Sequence, residues 1–219
     1  ATGEPQQLNF VLPPLQLEQM LASEPFRIID WRGARAEGDR TQRVTALFGD
    51  SYTVTAQWAT APRNGATFNN QPRYELAAYA LQKLFLDPDA YVVPPTVIRA
   101  FPIDFVREQM PDVLPTFQEA PGSVVVALQY WLLSVSPNNV WVPARARSDS
   151  TYARHFGNLN ILTYIIQHGD SNTGNVLISD SETNPRVYAV DNGVAFTSTT
   201  SNRGAIWREL MAERLPRST

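Results

Sequence analysis

A hairpin that follows a long helical pattern is the feature that most constrains the fold of this chain. Residues 150–167 have the apolar spacing of a helix, and they lead through a polar loop to the apolar segments 175–179 and 186–190. The turn-rich sequence DSETNP separates these two segments, which predicts an antiparallel hairpin. Because antiparallel strands run side by side, the residue entering the first strand lies near the residue leaving the second. Asn175 and Asp191 are therefore predicted to meet, although 16 positions separate them.

The loop before the hairpin, HGDSNTGNVL at 168–177, adds a third oxygen-bearing side chain, Asp170. The chain has no cysteine and two histidines, so three converging oxygen ligands favour a hard cation such as Mg²⁺ or Mn²⁺ over zinc. His168 is expected to order the loop by hydrogen bonds rather than to act as an acid or base. The alternative is a polar turn in which Asp170 and Asn175 only cap local backbone groups.

The first quarter of the chain predicts a helix followed by a small antiparallel sheet. Residues 14–22 have an amphipathic pattern, and three strand-like segments follow at 26–30, 43–49 and 52–59. The sequence Gly-Asp-Ser at 49–51 predicts a tight turn between the second and third strands. The expected arrangement is therefore a meander.

The middle of the chain predicts a second helix and further extended segments. Residues 69–86 have helical spacing, with Pro72 in the first turn. Two prolines and several β-branched residues predict an extended conformation at 91–101, and 102–122 is expected to be an irregular insertion. The apolar segment 123–133 predicts a buried strand.

Composition excludes several classes of function. The net charge is -3, so there is no general electrostatic reason to bind nucleic acid. No apolar run reaches the length of about 18 residues that suggests a membrane-spanning helix. The absence of cysteine excludes disulfides and thiolate metal sites. We expect a soluble protein, and the start at Ala1 leaves both a cytoplasmic protein and an exported protein that has lost a signal peptide open.

Two motifs together resemble those of the protein-kinase-like superfamily. The loop HGDxxxxNxL at 168–177 is similar to the catalytic loop of aminoglycoside and choline kinases, and Asp191-Asn192-Gly193 is similar to the metal-binding Asp-x-Gly. Three further segments resemble the atypical branch of this superfamily, which includes HipA, Fam20 and the phosphatidylinositol kinases. They are PRYELAAYALQKLFL at 72–86, VVPPTV at 92–97 and GNLNILTYIIQHGD at 157–170. The resemblance covers roughly 26–197.

The resemblance implies a two-lobed α+β fold of the protein-kinase type. Residues 1–129 are expected to form an N-lobe with an antiparallel sheet, and 130–219 a short, mainly helical C-lobe that carries the catalytic hairpin. The hinge is expected at 129–137. Only 26 residues follow Gly193, which is short for the helical subdomain of many relatives. A truncated C-lobe is therefore one of the expectations.

The resemblance also implies roles for the residues of the loop and the hairpin. Asp170 is expected to be the catalytic base that orients the acceptor hydroxyl, and Asn175 and Asp191 are expected to bind metal. Gly193 is expected to let the chain turn sharply after the metal ligand. Glu75 corresponds to the helix glutamate that normally pairs with a strand lysine.

That lysine is where the sequence departs from the pattern. Lys83 is the only lysine of the chain and lies on the same predicted helix as Glu75, so Gln57 is expected in the lysine position. Because an amide carries no positive charge, either an arginine of the loop 31–43 compensates or the activity is low.

The remaining nucleotide-binding residues are assigned by the same resemblance. The expected phosphate-binding arginines are Arg40 and Arg43. At the hinge, Gln129 and Tyr130, together with Trp131, are expected beside an adenine.

The expected function is transfer of the ATP γ-phosphoryl group to a hydroxyl of a protein, lipid or small molecule, with Mg²⁺ or Mn²⁺. Two alternatives remain open. One is a pseudokinase that binds nucleotide or acts as a scaffold without catalysis, and the other is a small-molecule kinase of the aminoglycoside type. No nucleic-acid partner and no transmembrane segment are expected.

Overall fold

The computed structural model describes residues 9–33, 41–63, 71–168 and 174–196. These ranges form a mixed α+β fold with a five-stranded and a three-stranded sheet. None of the helices within them combines the length and the apolar character needed to cross a bilayer.

The five-stranded sheet is antiparallel throughout and has the order β1-β2-β3-β5-β4. Its strands are β1 Phe26–Arg32, β2 Thr41–Phe48, β3 Tyr52–Thr60, β4 Thr96–Pro102 and β5 Ser123–Tyr130. The predicted meander of the first three strands is confirmed. The turn between β2 and β3 contains Gly49 at a φ of 54°, a left-handed conformation that glycine adopts without a Cβ penalty.

The two faces of this sheet differ because side chains alternate along each strand. One face is apolar and is buried against helix α1, Pro14–Ser23, and against aromatic residues; it includes Val44, Ala46, Val54, Ala56, Trp58, Val124, Val126 and Leu128. The opposite face carries a row of polar side chains in direct register across the five strands. In this polar row Arg32 lies opposite Arg43, Arg43 opposite Gln57, Gln57 opposite Gln129, and Gln129 opposite Thr96.

The second helix, α2, spans Pro72–Gln82, shorter at its C-terminal end than the predicted 69–86. At its last residue, the Gln82 side chain holds the segment of backbone that leads into β4. Its Oε1 accepts hydrogen bonds from Val92 N (2.8 Å) and Val93 N (2.9 Å), and its Nε2 donates to Val93 O (2.9 Å). Gln82 is fully buried, so these bonds fix α2 against the chain that leads into β4.

The predicted extended segment 91–101 is a strand only from Thr96 onwards. Pro94 and Pro95 come just before it, and neither has an N–H to donate to a strand ladder. A 3₁₀ turn, Pro88–Ala90, precedes the segment. The insertion at 102–122 is irregular as predicted, except for the short helix α3 at Ile103–Arg107.

The second part of the fold packs two helices, α4 at Pro143–Ser148 and α5 at Ser150–Ile165, near a small sheet. Asp149 caps α5 by accepting a hydrogen bond from Tyr152 N at 3.0 Å. The predicted hairpin is confirmed. It consists of β7 Val176–Ser179 and β8 Val187–Ala189, and the short strand β6 Val135–Ser136 pairs with β7.

Helix α5 and the hairpin share a core with α2. Buried residues of α5 such as Tyr152, Phe156 and Leu162 pack in one cluster with Tyr79 of α2. His155 is also buried in α5, and burial lowers the pKa of its imidazole to about 4. This histidine is therefore a neutral core residue.

The Gln82 contacts give a test of how α2 is held. Gln82→Leu leaves two N–H groups and one carbonyl of buried backbone unpaired, so the free energy of unfolding should fall by about 2–5 kcal/mol. Urea unfolding followed by tryptophan fluorescence measures this change. Leu84→Gln, at a neighbouring position that is 80% exposed, is the control and should change stability by less than about 0.5 kcal/mol. Equal effects of the two substitutions would contradict the assignment.

Candidate active site

A cavity of about 740 Å³ lies between the polar row of the large sheet and the hairpin of the small sheet. This volume falls within the range of roughly 300–1,000 Å³ that is usual for small-molecule sites. The residues around it are Arg32, Gly33, Thr41, Gln42, Arg43, Gln57, Gln129, Tyr130, Trp131, Leu132, Ser134, Val135, Pro137, Gly174, Asn175, Leu177, Val190 and Asp191.

The hairpin brings Asn175 and Asp191 to the same end of the cavity. Val190 N donates a hydrogen bond to Asn175 O at 2.9 Å, so the backbone closes next to both side chains. The predicted meeting of the hairpin ends is therefore found in the structure. Asp170 falls outside the described residues, as does Arg40.

The chain turns sharply at Asp191 itself. Asp191 has a φ of 57° and a ψ of 56°, the left-handed conformation, and it precedes the 3₁₀ turn Asn192–Val194. The expectation that Gly193 supplies this turn is wrong, because Gly193 lies inside the 3₁₀ turn and is absent from the glycines with positive φ in the described ranges. Its carbonyl instead accepts a hydrogen bond from Gln71 N at 2.8 Å, at the start of α2.

Glu75 of α2 is buried behind this turn, with 1% of its surface exposed. Its Oε2 accepts hydrogen bonds from Gln129 Nε2 and from Asn192 Nδ2, both at 3.2 Å. Its Oε1 has no hydrogen-bond partner among the described residues. Burial, and secondarily the negative charge of Asp191, raise the pKa of Glu75 from 4.5 to about 7, although the backbone N–H of Asn192 and the side-chain amides of Asn192 and Gln129 act in the opposite direction.

Gln57 borders the cavity, and its place in the lysine position stays a prediction, but the glutamine whose amide contacts Glu75 is Gln129. Both glutamines belong to the polar row, but β5 lies between β3 and β4, and α2 packs against β4 and β5. Gln129 is therefore the nearer of the two. Its Nε2 also donates to Thr96 Oγ1 at 3.0 Å, and the residue borders the cavity, so its place beside an adenine stays a prediction.

Tyr130 also borders the cavity, but its side chain lies in the core on the other face of the sheet. It follows Gln129 by one residue and therefore points to the apolar face of the sheet. Its ring lies 5.4 Å from that of Phe10, and its hydroxyl accepts a hydrogen bond from Val11 N at 3.1 Å. The next residue, Trp131, borders the cavity, and the Arg43 guanidinium lies 5.1 Å from the centroid of its ring.

The only lysine of the chain is engaged elsewhere. Lys83 Nζ bonds both carboxylate oxygens of Glu18 on α1, at 2.7 and 2.9 Å, and it lies 5.3 Å from the ring centroid of Tyr79. The cationic side chains that border the described part of the cavity are therefore those of Arg32 and Arg43.

Two residues of the site, Thr96 and Asn192, are not found by reasoning from the sequence. The contact of Thr96 with Gln129 can be found only with the register of β4 and β5. Asn192 is the middle residue of Asp191-Asn192-Gly193, but its contact with Glu75 joins residues 117 positions apart. No local pattern signals such a contact.

The donor groups at the hairpin suit a hard divalent cation. An amide and a carboxylate are oxygen ligands of the kind that Mg²⁺ and Mn²⁺ accept. Within 9–33, 41–63, 71–168 and 174–196 there is no group of three or more His, Cys, Asp or Glu residues that could hold a metal alone.

The raised pKa of Glu75 predicts a pH-dependent stability. Because the fold favours the protonated carboxyl, Glu75 contributes to the free energy of unfolding. This contribution is fully present below pH 4.5 and is lost as the pH rises through about 7. Glu75→Gln keeps an oxygen acceptor for both amides and removes the ionisation. Relative to this variant, the wild type should lose on the order of 2–4 kcal/mol of unfolding free energy between pH 4.5 and pH 8.

Urea unfolding of both proteins at several pH values measures that difference. Glu119→Gln, at an exposed position, is the matched control and should follow the wild type at each pH. A constant difference between the wild type and Glu75→Gln across this range would show that Glu75 does not titrate there.

Comparison with known proteins gives a similar fold among solved structures and no match among curated protein sequences. No protein-family model and no curated protein sequence matches the chain. Among solved structures, the fold is similar to that of a hydra Fam20 determined with sugar, with a TM-score of 0.54 and 14% sequence identity over 89% of this chain and 71% of the hydra chain. The hydra protein has a kinase-like fold. The chain therefore has an α+β fold of the protein-kinase-like type.

Proposed function

We propose that this chain is a kinase-like phosphotransferase, which moves the γ-phosphoryl group of ATP to a hydroxyl acceptor with Mg²⁺ or Mn²⁺. The observation that carries the proposal is the convergence of Asn175 and Asp191 on a cavity whose other wall is the polar row. An oxygen-rich end that suits a metal ion and a wall with two arginines fit the charged part of a nucleotide.

The apolar part of the cavity suits the base of the nucleotide. Val135, Leu177 and Val190 border it from the hairpin side, and Trp131 borders it near the end of β5. Mostly apolar walls with a few polar groups are typical of small-molecule sites. This arrangement supports a nucleotide more than a simple inorganic anion.

In the proposed reaction the oxygen of the acceptor attacks the γ-phosphorus, and the bond between that phosphorus and the β–γ bridging oxygen breaks. Asp170 orients the acceptor hydroxyl and accepts its proton, and ADP leaves. The bound cation would neutralise the charge of the phosphates, with Asn175 and Asp191 as its protein ligands. The role of Asp170 rests on its place in the HGD loop, five residues before Asn175.

A second candidate function is nucleotide binding without transfer. It is favoured by the surroundings of Glu75, because two neutral amides contact this carboxylate where an active kinase normally has a lysine. A small-molecule kinase differs from the first proposal in its acceptor only. Because the hydra Fam20 structure was determined with sugar, carbohydrate hydroxyls are one acceptor class to include in an assay.

The metal-binding role predicts a loss of Mg-ATP affinity in Asp191→Asn. Asparagine tolerates the left-handed backbone found at this position, so the fold should persist while the negative charge is removed. Calorimetry should show that Mg²⁺ strengthens ATP binding to the wild type and has little effect on the variant. Asp180→Asn, at an exposed position just after β7, is the control. Equal Mg²⁺ dependence in wild type and Asp191→Asn would remove Asp191 from the metal site.

The catalytic role predicts a different result for Asp170→Asn. Because nucleotide binding does not need a proton acceptor, affinity for Mg-ATP should stay within about threefold, while transfer should fall by roughly 10²-fold or more. Radiolabelled ATP with protein, lipid, small-molecule and carbohydrate acceptor pools measures the transfer. Label that depends on Asp170 identifies the acceptor class. If the wild type binds Mg-ATP yet labels nothing above the variant, the non-catalytic candidate is the better one.

A further inference from the structure

Arg43 is the charged residue nearest in the sheet to the position expected for a catalytic lysine. It lies directly opposite Gln57 across the β2–β3 pair, on the face that borders the cavity. Side chains directly opposite each other in an antiparallel pair have Cβ atoms about 4.5–5.5 Å apart. A long arginine side chain can therefore reach the space in front of Gln57.

Two other features favour Arg43 for this task. Trp131 lies beside its guanidinium, with 5.1 Å between Arg43 Cζ and the ring centroid, so the side chain has a contact that orients it. Arg32 lies directly opposite Arg43 on β1, and like charges in such a pair repel. The salt bridge from Arg32 Nε to Asp30 Oδ2, at 3.0 Å, offsets part of this repulsion, and an anion bound between the two arginines would relieve the rest.

We infer that Arg43 binds the phosphates of the nucleotide in place of the missing strand lysine, and that it does so without an ion pair to Glu75. This inference rests on the proposed function. The positive charge comes from β2, whereas Glu75 is held by Gln129 of β5 and by Asn192. The helix glutamate and the phosphate-binding cation, which kinases normally join in one ion pair, are separate here.

If Arg43 binds phosphate, the affinity for a nucleotide should depend on whether the nucleotide carries phosphates. A guanidinium is planar and can donate two parallel hydrogen bonds to phosphate oxygens. Arg43 should therefore contribute to the binding of ATP and of ADP and contribute little to the binding of adenosine.

The test compares ATP, ADP and adenosine by calorimetry with Mg²⁺ present. Arg43→Gln should weaken ATP binding by roughly 10- to 100-fold, as expected for loss of hydrogen bonds to a charged group, and should leave adenosine affinity within about twofold. Arg27→Gln is the matched control. It removes the same charge from an exposed position on β1 that does not border the cavity, and it should leave all three affinities unchanged.

Two further variants make the test specific for charge and place. Arg43→Lys keeps the charge and should retain ATP affinity within about fivefold. The double variant Arg43→Gln/Gln57→Lys moves the charge one strand along the polar row, and it should recover most of the ATP affinity lost in Arg43→Gln. If circular dichroism shows that Arg43→Gln does not fold, Arg43→Met carries the test, because it keeps the length of the side chain against Trp131 and removes the charge; the same loss of ATP affinity is expected.

The outcomes separate this inference from the proposed function. Unchanged ATP affinity in Arg43→Gln, in a wild-type background that binds Mg-ATP, overturns the inference and leaves the proposed function standing. An equal loss for ATP and adenosine also overturns it, because that pattern indicates a packing role through Trp131. A wild type that binds no Mg-ATP overturns both.

Discussion

The buried carboxylate of Glu75 is the contact on which the arrangement of the site depends. It joins three parts of the chain that are distant in sequence: helix α2, the strand β5 through Gln129, and the turn after the hairpin through Asn192. The Gln71 N to Gly193 O bond adds a second tie between the start of α2 and the same turn. Since these bonds fix the turn relative to the sheet, they also fix Asp191 relative to the polar row.

The polar row depends on a simpler constraint, the alternation of side chains along a strand. Every second residue of β2, β3 and β5 packs into an apolar core that includes Val44, Ala56 and Leu128. The intervening residues must then face the other side, where these three strands place Arg43, Gln57 and Gln129, next to Arg32 of β1. One sheet thus serves as a hydrophobic support on one face and as the wall of a polar cavity on the other.

Most of the fold could be predicted because its elements are local. Period-two segments and short turns predict β1 to β3 and the hairpin, and the spacing of apolar residues predicts α5. The meeting of Asn175 and Asp191 follows from the hairpin alone. The predicted C-terminal end of α2 is less accurate. The helix ends at Gln82, whose side chain bonds Val92 and Val93, and no helix propensity signals that contact.

The site was harder to predict because its contacts join distant elements. That Gln129 rather than Gln57 contacts Glu75 follows from the strand order, in which β5 is inserted between β3 and β4. The alternation rule, applied to β5, would have placed Tyr130 in the core.

The pairing of Lys83 with Glu18 affects how this protein can be chemically labelled. Since the chain has no other lysine, its amines are Lys83 and the N-terminus, and the first is held on α1 outside the cavity lining. Nucleotide probes that acylate a lysine beside the phosphates would find none to react with in the cavity. A screen based on such probes would therefore overlook this chain even if it binds ATP, whereas a dye or surface linker attached at Lys83 should leave the cavity open.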